Sequence, residues 1–219
     1  RQQLVRGQSA VRPPPHHGNE LHNYDQLLGG KNAWTNVMGP LNLFNLLAVR
    51  FVILPMPLQI PGYHVVTRAS RGSDGVSQAI LYEADTVPPY ARVIPAAIKV
   101  PDDQVVPALM NPRWDYNRVT LLPETASVNA PRPDTLPAPM AARAAVTAWE
   151  PGVMTVKRDP APEHDAYLQV SENWYPDWHA TVDGRDAPVM RGQLTLITVP
   201  VPRGAQEVRL RFDSPSYHR

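Results

Sequence analysis

Proline constrains this chain more than any other residue. It occupies 26 of the 219 positions, about 12% against a usual proportion near 5%. Proline has no backbone N–H and a fixed φ, so it is excluded from helix interiors and from central strands. A sequence so punctuated cannot form long helical bundles or coiled coils; it must fold in short extended pieces separated by turns. Proline and glycine together stay below the roughly 25–30% of low-complexity chains, and 43% of residues are hydrophobic. A chain of this length can bury roughly 70% of its unfolded surface without a disulfide or metal staple. The fold class expected is therefore mainly β with a minor helical part.

Charge narrows the partners. Twenty-one Lys and Arg against 20 Asp and Glu leave a net charge of +1. Nucleic-acid binding needs a surplus of clustered cations, so nucleic acid is excluded as the main partner. There is no cysteine, which removes disulfides, thiolate nucleophiles and thiolate metal sites. No run of about 18 apolar residues exists; the nearest, Leu41–Leu58, is broken by Asn42, Asn45, Arg50 and Pro55. The chain starts at Arg1 without methionine and reads as a piece of something longer.

Along the chain, residues 1–22 are polar and irregular, with an exposed, extended Pro13-Pro14-Pro15-His16-His17-Gly18 run. The His16-His17 pair reads as solvated, because a metal site needs three or four ligands. Gly39-Pro40 opens a short helix over Leu41–Ala48, and Val49–Leu54 reads as a strand. Tyr63–Arg68 and Ser77–Glu83 flank a turn at Arg71–Gly75. Tyr90–Val100 is extended, Asp102 is placed to cap a helix over Asp103–Met110, and Arg118–Leu122 is a strand. The Pro- and Ala-rich stretch 129–142 reads as a linker between a β-rich N-terminal subdomain (1–128), with one or two short helices, and a C-terminal antiparallel β-sandwich (143–219).

The C-terminal part is patterned more clearly. Ala144–Trp149 and Val153–Lys157 form a hairpin around Glu150-Pro151-Gly152, and Ala166–Ser171 is the next strand. Trp178–Val182 and Arg185–Met190 form a second hairpin around Asp183-Gly184, a pair suited to a type I′ turn. Leu194–Val201 and Glu207–Phe212 read as a third, around Pro202-Arg203-Gly204. In the last strand Val208, Leu210 and Phe212 alternate with Glu207, Arg209 and Arg211, so the first three should face a core and the others water.

The order Glu172-Asn173-Trp174-Tyr175-Pro176-Asp177-Trp178, Val182-Asp183-Gly184, Pro188-Val189, Val199–Gly204 and Val208–Phe212 resembles the C-terminal extracytoplasmic region of bacterial YfhO-like membrane proteins, which are related to GT-C glycosyltransferases. In that family an acidic residue and a "YPGW" turn precede a strand, a "DG" hairpin and a "VPAG" turn. Asp177 stands here where the family has glycine. Leu46–Val52 is similar to the family's "LLNVRYV" region, with Ala48 for Asn, and Leu81-Tyr82-Glu83 with Pro89–Arg92 to its "YEN…PRA" segment. The resemblance implies a domain outside the cytoplasm, tethered to the membrane-embedded portion of the same protein, in a protein taking part in cell-envelope glycan or lipid-linked sugar transfer. The catalytic acid of GT-C enzymes lies in membrane-part loops, which implies that this piece is non-catalytic and acts by scaffolding or by binding a glycan or lipid-linked sugar acceptor.

Candidate ligand-binding residues are Trp174, Tyr175 and Trp178, aromatics that could stack on sugar rings or plug the mouth of the sandwich, and Glu172, which could take a sugar hydroxyl or its own turn's N–H groups. Packing is the favoured reading of all four. Glu163-His164-Asp165 reads as a solvated loop, since a catalytic set converges from distant segments. There is no G-x-S-x-G elbow, and Gly29-Gly30-Lys31 lacks the rest of a phosphate loop. No cofactor or metal set is evident. The alternatives carried forward are a free-standing carbohydrate-binding module using Trp174–Trp178 and, less favoured, a soluble glycoside hydrolase.

Overall fold

The computed structural model of the protein describes residues 18–31, 36, 42–70, 78–130 and 133–214. The Pro13–His17 run with its two histidines, the Gly39-Pro40 helix start and the Arg71–Gly75 turn lie outside the described residues. The chain is mainly β. Helices α1 (Gly18–Leu28) and α2 (Asn42–Leu46) precede strands β1 (Phe51–Leu54), β2 (Tyr63–Ser70), β3 (Gln78–Ala84), β4 (Ala91–Ile94) and β5 (Ala96–Val100). Helix α3 (Asp102–Leu109) leads to β6 (Val119–Pro123) and β7 (Ala144–Glu150). Strands β8 (Val153–Arg158), β9 (Ala166–Asn173), β10 (Trp178–Val182), β11 (Arg185–Ala187), β12 (Met190–Gly192), β13 (Leu196–Val201) and β14 (Glu207–Phe212) complete it.

A small antiparallel sheet, β1-β3-β2, packs one face on the helices: Ile80 and Tyr82 meet Leu28, Phe44 and Val49. Tyr63 is pinned there through its hydroxyl, which donates to the Val49 carbonyl at 2.6 Å, and burial pushes its pKa up to about 12. Helix α1 begins inside the stretch expected to be irregular. It has no clear apolar period to betray it, and burial of Leu27 and Leu28 at its end holds it. Strands β5 and β6 are a parallel pair bridged by α3. Asp102 does not cap α3: Pro101 occupies the N-cap, and the Asp102 carboxylate takes two bonds from Arg191, at 2.9 and 2.7 Å.

The C-terminal part is a two-sheet sandwich. One sheet runs β11-β10-β14-β8-β7 and the other β12-β13-β9-β4, all antiparallel. Between them lie Met154, Val156, Val208 and Leu210 from the first sheet and Val93, Leu168, Val170, Ile197 and Val199 from the second. Burying a side chain of this size contributes about 1.5–3 kcal/mol, so this aliphatic layer is the main stabilising element. Strand β4 comes from before the 129–142 segment, so the hydrogen bonding of the sandwich spans that stretch. The described residues of 129–142 form neither helix nor strand, and the guanidinium of Arg118 holds them by donating to the Leu136 and Pro137 carbonyls.

One expected hairpin and the second half of one expected strand are corners instead. Arg185–Met190 is not one strand: β11 pairs with β10 in one sheet, and after Pro188-Val189 strand β12 pairs with β13 in the other. Pro188 has no N–H for the ladder, so the chain leaves the sheet there. Likewise β13 and β14 do not pair with each other. Pro202 ends β13, Gly204 turns at φ +75°, and β14 enters the opposite sheet between β10 and β8. The Asp183-Gly184 hairpin is as expected: both residues have positive φ (47° and 79°), and Val182 pairs directly with Arg185. Val208 and Leu210 are fully buried, but Phe212 is only half-buried, because β14 ends at the mouth of the sandwich where the facing sheet has run out.

Candidate functional site

The order Glu172–Trp178 forms the end of β9, a turn and the start of β10. The turn closes with the Trp178 N–H donating to the Tyr175 carbonyl at 3.2 Å. Trp174 donates through Nε1 to the Val189 carbonyl at 3.3 Å and packs on the sandwich core. Trp178 meets the Phe212 ring edge-on at 5.3 Å, and Tyr175 meets the same ring at 6.2 Å. All three aromatics are half-buried. Tyr175 and Trp178 gather on the Phe212 ring at the mouth of the sandwich, while Trp174 packs on its core.

Glu172 points elsewhere. Its Oε2 accepts the Tyr90 hydroxyl at 2.7 Å, and its Oε1 accepts the Asn173 N–H at 3.2 Å. Burial and the adjacent carboxylate push the Tyr90 hydroxyl far above its ordinary pKa, so it remains a proton donor to Glu172. Tyr24 is raised as well, chiefly by burial and then by Glu172. Glu172 thus ties β9 to the segment before β4 and lies apart from the aromatic turn.

Tyr90 leads to an aromatic that the sequence reading passed over. Its ring lies 4.8 Å from that of Trp149, which is 42% exposed at the end of edge strand β7. The two rings line an open cleft of about 420 Å³ with Val87, Pro88 and Val146. Trp149 sits in an -Ala-Trp-Glu-Pro-Gly- hairpin end, and only the fold shows which face it takes.

Glu163, His164 and Asp165 are all exposed, and Asp165 accepts the Arg203 N–H at 2.9 Å. Among the described residues no group of three or more His, Asp or Glu gathers in metal-binding geometry.

A concavity of about 780 Å³, open to solvent, lies on the outer face of the five-stranded sheet. Strand alternation puts His179 and Thr181 of β10 and Arg209 and Arg211 of β14 on this face, because their neighbours Ala180, Val182, Val208 and Leu210 face the core. The register sets His179 opposite Arg211 and Thr181 opposite Arg209. On the other side of β10, Asp186 pairs with Thr181, and Pro188 and Val189 form an apolar wall. Period-2 patterning already marks Arg209 and Arg211 as outward; their meeting with His179 depends on pairing between strands distant in sequence.

In comparisons with known proteins, no family model, no curated protein and no solved structure matches this chain.

Proposed function

We propose that this chain is a non-catalytic, extracytoplasmic domain of a membrane protein resembling GT-C-type glycosyltransferases, where it serves glycan or lipid-linked sugar transfer as a scaffold docked on the membrane-embedded portion. One observation supports this reading above the others. Seven large apolar side chains are exposed among the described residues, and five of them, Ile53, Met56, Leu58, Val65 and Val66, belong to β1, the segment just after it, and β2. Scattered exposed apolar residues are ordinary, but a concentration on one small element marks a contact surface. The three-stranded sheet has one face on the helices and stands apart from both sheets of the sandwich, so it can carry the docking contact without disturbing the sandwich core. The half-buried aromatic turn fits a structural role in the same scaffold.

This chain has no cysteine, so once any cysteine elsewhere in the full-length protein is replaced, a thiol placed in the chain reports on its own surface. In the full-length gene product, Lys157→Cys on the far sheet and Val66→Cys on the apolar sheet are exposed to a membrane-impermeant maleimide in intact cells. Lys157→Cys should label at once. Val66→Cys should label slowly there and rapidly in the isolated chain. Labelling of Lys157→Cys only after lysis would overturn the location, and equal labelling of Val66→Cys in both settings would overturn the docking.

A further inference from the structure

We infer that the groove on the outer face of the five-stranded sheet binds an acidic saccharide, with its anionic substituent held by Arg209 and Arg211 and its hydroxyls by Asp186 and Thr181. This rests on the acceptor-binding half of the reading above but uses a different surface from the docking sheet.

The cations are the first argument. Arg209 and Arg211 stand two residues apart on β14 with their side chains on one face, roughly 7 Å from each other. His179 lies directly across from Arg211. Like charges so placed repel, and the fold does little to neutralise them. Arg211 has Asp213 at 2.8 Å; the Arg209 side chain has no ion pair or hydrogen bond among the described residues, and the one carboxylate beside it on β14, Glu207, is turned to Lys157 at 4.0 Å. The next strand, β8, offers only Thr155 beside Arg209 and Val153 beside Arg211. An anion in the groove would relieve this repulsion with charge-assisted hydrogen bonds from guanidinium groups, whose planar fork fits a carboxylate or phosphate.

Asp186 decides what carries the anion. It is exposed on β11 and faces the same groove across Thr181. A carboxylate there repels a densely anionic surface such as a lipid bilayer, but it accepts hydroxyl groups, as do Thr181 and the His179 ring. A ligand with one acidic group and several neighbouring hydroxyls satisfies both ends. The volume of about 780 Å³ lies within the range of roughly 300–1,000 Å³ usual for small-ligand sites. Five of the seven large exposed apolar residues among those described, which a membrane surface would seek, lie instead in β1, the segment after it and β2.

The test is calorimetric titration of the isolated chain with a trigalacturonate, a hexose phosphate, neutral maltotriose, inorganic phosphate and phosphatidylglycerol vesicles. At least one acidic sugar should bind, more weakly as salt rises, since exposed charges are screened. Arg209→Ala and Arg211→Ala should each cost roughly tenfold in affinity, with melting temperatures showing that the variants stay folded. Asp186→Asn should weaken the sugar ligands. A Trp149→Ala variant should bind as the parent does. Equal binding of maltotriose, equal binding of inorganic phosphate, vesicle binding that displaces the sugars, or affinity unmoved by either arginine substitution would each overturn the inference. None of these results bears on the thiol labelling of the three-stranded sheet, so the two failures are distinguishable.

Discussion

The two sheets of the sandwich share one core and differ in what lies behind them. Behind the five-stranded sheet is water. Its inner strand β14 reads buried and wet in strict alternation, Val208 and Leu210 inside, Arg209 and Arg211 outside. Behind the four-stranded sheet lies the rest of the protein: Met190 packs with Ala97 and Leu122 of the parallel β5–β6 pair, and Leu196 with α2, α3 and β6. Its strands are buried on both faces, all four residues of β4 and five of the six of β13. A covered sheet must also solve a problem that the wet one never meets, because any polar residue on its back face needs a partner from the protein itself.

One register row shows where this is met and where it is not: Arg92 has three carbonyl partners, whereas the Gln169 amide and Thr198 Oγ1 have no hydrogen-bond partner among the described residues. Met190, Thr198, Gln169 and Arg92 line up across the back of the four-stranded sheet. Arg92 is buried, and its guanidinium donates to the carbonyls of Leu46, Asn45 and Pro89 at 3.1, 2.8 and 2.9 Å. Desolvation lowers its pKa to about 10, still well above neutrality, so the charge is retained. It also lies over the Tyr116 ring at 5.2 Å. One side chain thereby joins the sandwich, α2 and the loop before β4. The largest effect should follow from removing it. Arg92→Leu takes the one partner of the Pro89 carbonyl, roughly 1–3 kcal/mol, and a charged donor from the Leu46 and Asn45 carbonyls, which keep the Ser171 hydroxyl and the Ala48 N–H; a loss of about 3–5 kcal/mol is expected in urea unfolding. A loss below about 1 kcal/mol would mean that water reaches this face and that the sheet is not closed.

Within the shared core, Leu210→Ala should cost about 2–5 kcal/mol by cavity formation. Phe212→Ala should cost clearly less, because this ring is half-buried at the mouth, and its loss should loosen Trp178 and Tyr175 more than the core. Tryptophan fluorescence should shift to the red in Phe212→Ala and stay unchanged in Leu210→Ala. Equal losses of stability would show that the mouth is packed as tightly as the centre.

What could be read from the sequence divides along the same line. The wet sheet was legible because in β10 and β14 the outward residues are polar and the inward ones apolar, and because Asp183-Gly184 permits the positive φ that its turn adopts. The covered sheet was not. β4 and β13 carry no alternation, so nothing in Ala91–Ile94 announces that it pairs with β9 across the 71 residues between them. The corners were misread, one as a hairpin and one as a continuing strand, for a related reason: a proline with a turn looks the same whether the chain stays with its own sheet or crosses to the facing one. Of the candidate site, Trp174, Tyr175, Trp178 and Glu172 were visible as residue types, but their partners Phe212, Val189 and Tyr90 come from elsewhere in the chain. Arg209 and Arg211 were legible as outward-facing, while the groove around them depends on the β10–β14 register.

Two glycines sharpen the contrast at smaller magnitude. Gly184, on the wet sheet, has φ +79° and open space where a Cβ would stand. Its substitution cost is conformational, about 1–2 kcal/mol for Gly184→Val, and Gly184→Asn should recover most of it because asparagine tolerates this region. Gly192, on the covered sheet, has the opposite limit: a Cβ there would lie 2.1 Å from Thr198 Oγ1 and 2.9 Å from Thr120 Oγ1. Both threonines are buried. Gly192→Ala should cost about 1–3 kcal/mol by overpacking, and Gly192→Asn should be worse rather than better. Thermal melts of the four variants check the pattern, and rescue of position 192 by asparagine would show that its constraint is backbone conformation instead of space.

The smallest effect is expected at Arg209, and it completes the comparison because the residue type is the same as at Arg92. Both are arginines in the middle of a strand, and both belong to the outer faces of their sheets. Arg92 is buried with three carbonyl partners; Arg209 is exposed and has a second cation two residues away on the same face. Removing Arg209 deprives no buried group of a partner, so the change in stability should stay within about 0.5 kcal/mol, as at most surface sites. Its sign is set by Arg211, since Glu207, two residues to the other side, is already paired with Lys157 at 4.0 Å: with repulsion removed, Arg209→Ala should be neutral to slightly stabilising at low ionic strength. That gain should vanish when salt shortens the screening length from about 10 Å at 0.1 M to about 3 Å at 1 M. Unfolding curves of parent and variant at the two salt concentrations provide the measurement. A loss approaching that of Arg92→Leu, unaffected by salt, would mean that Arg209 is held by the protein and that the back of the five-stranded sheet is covered after all.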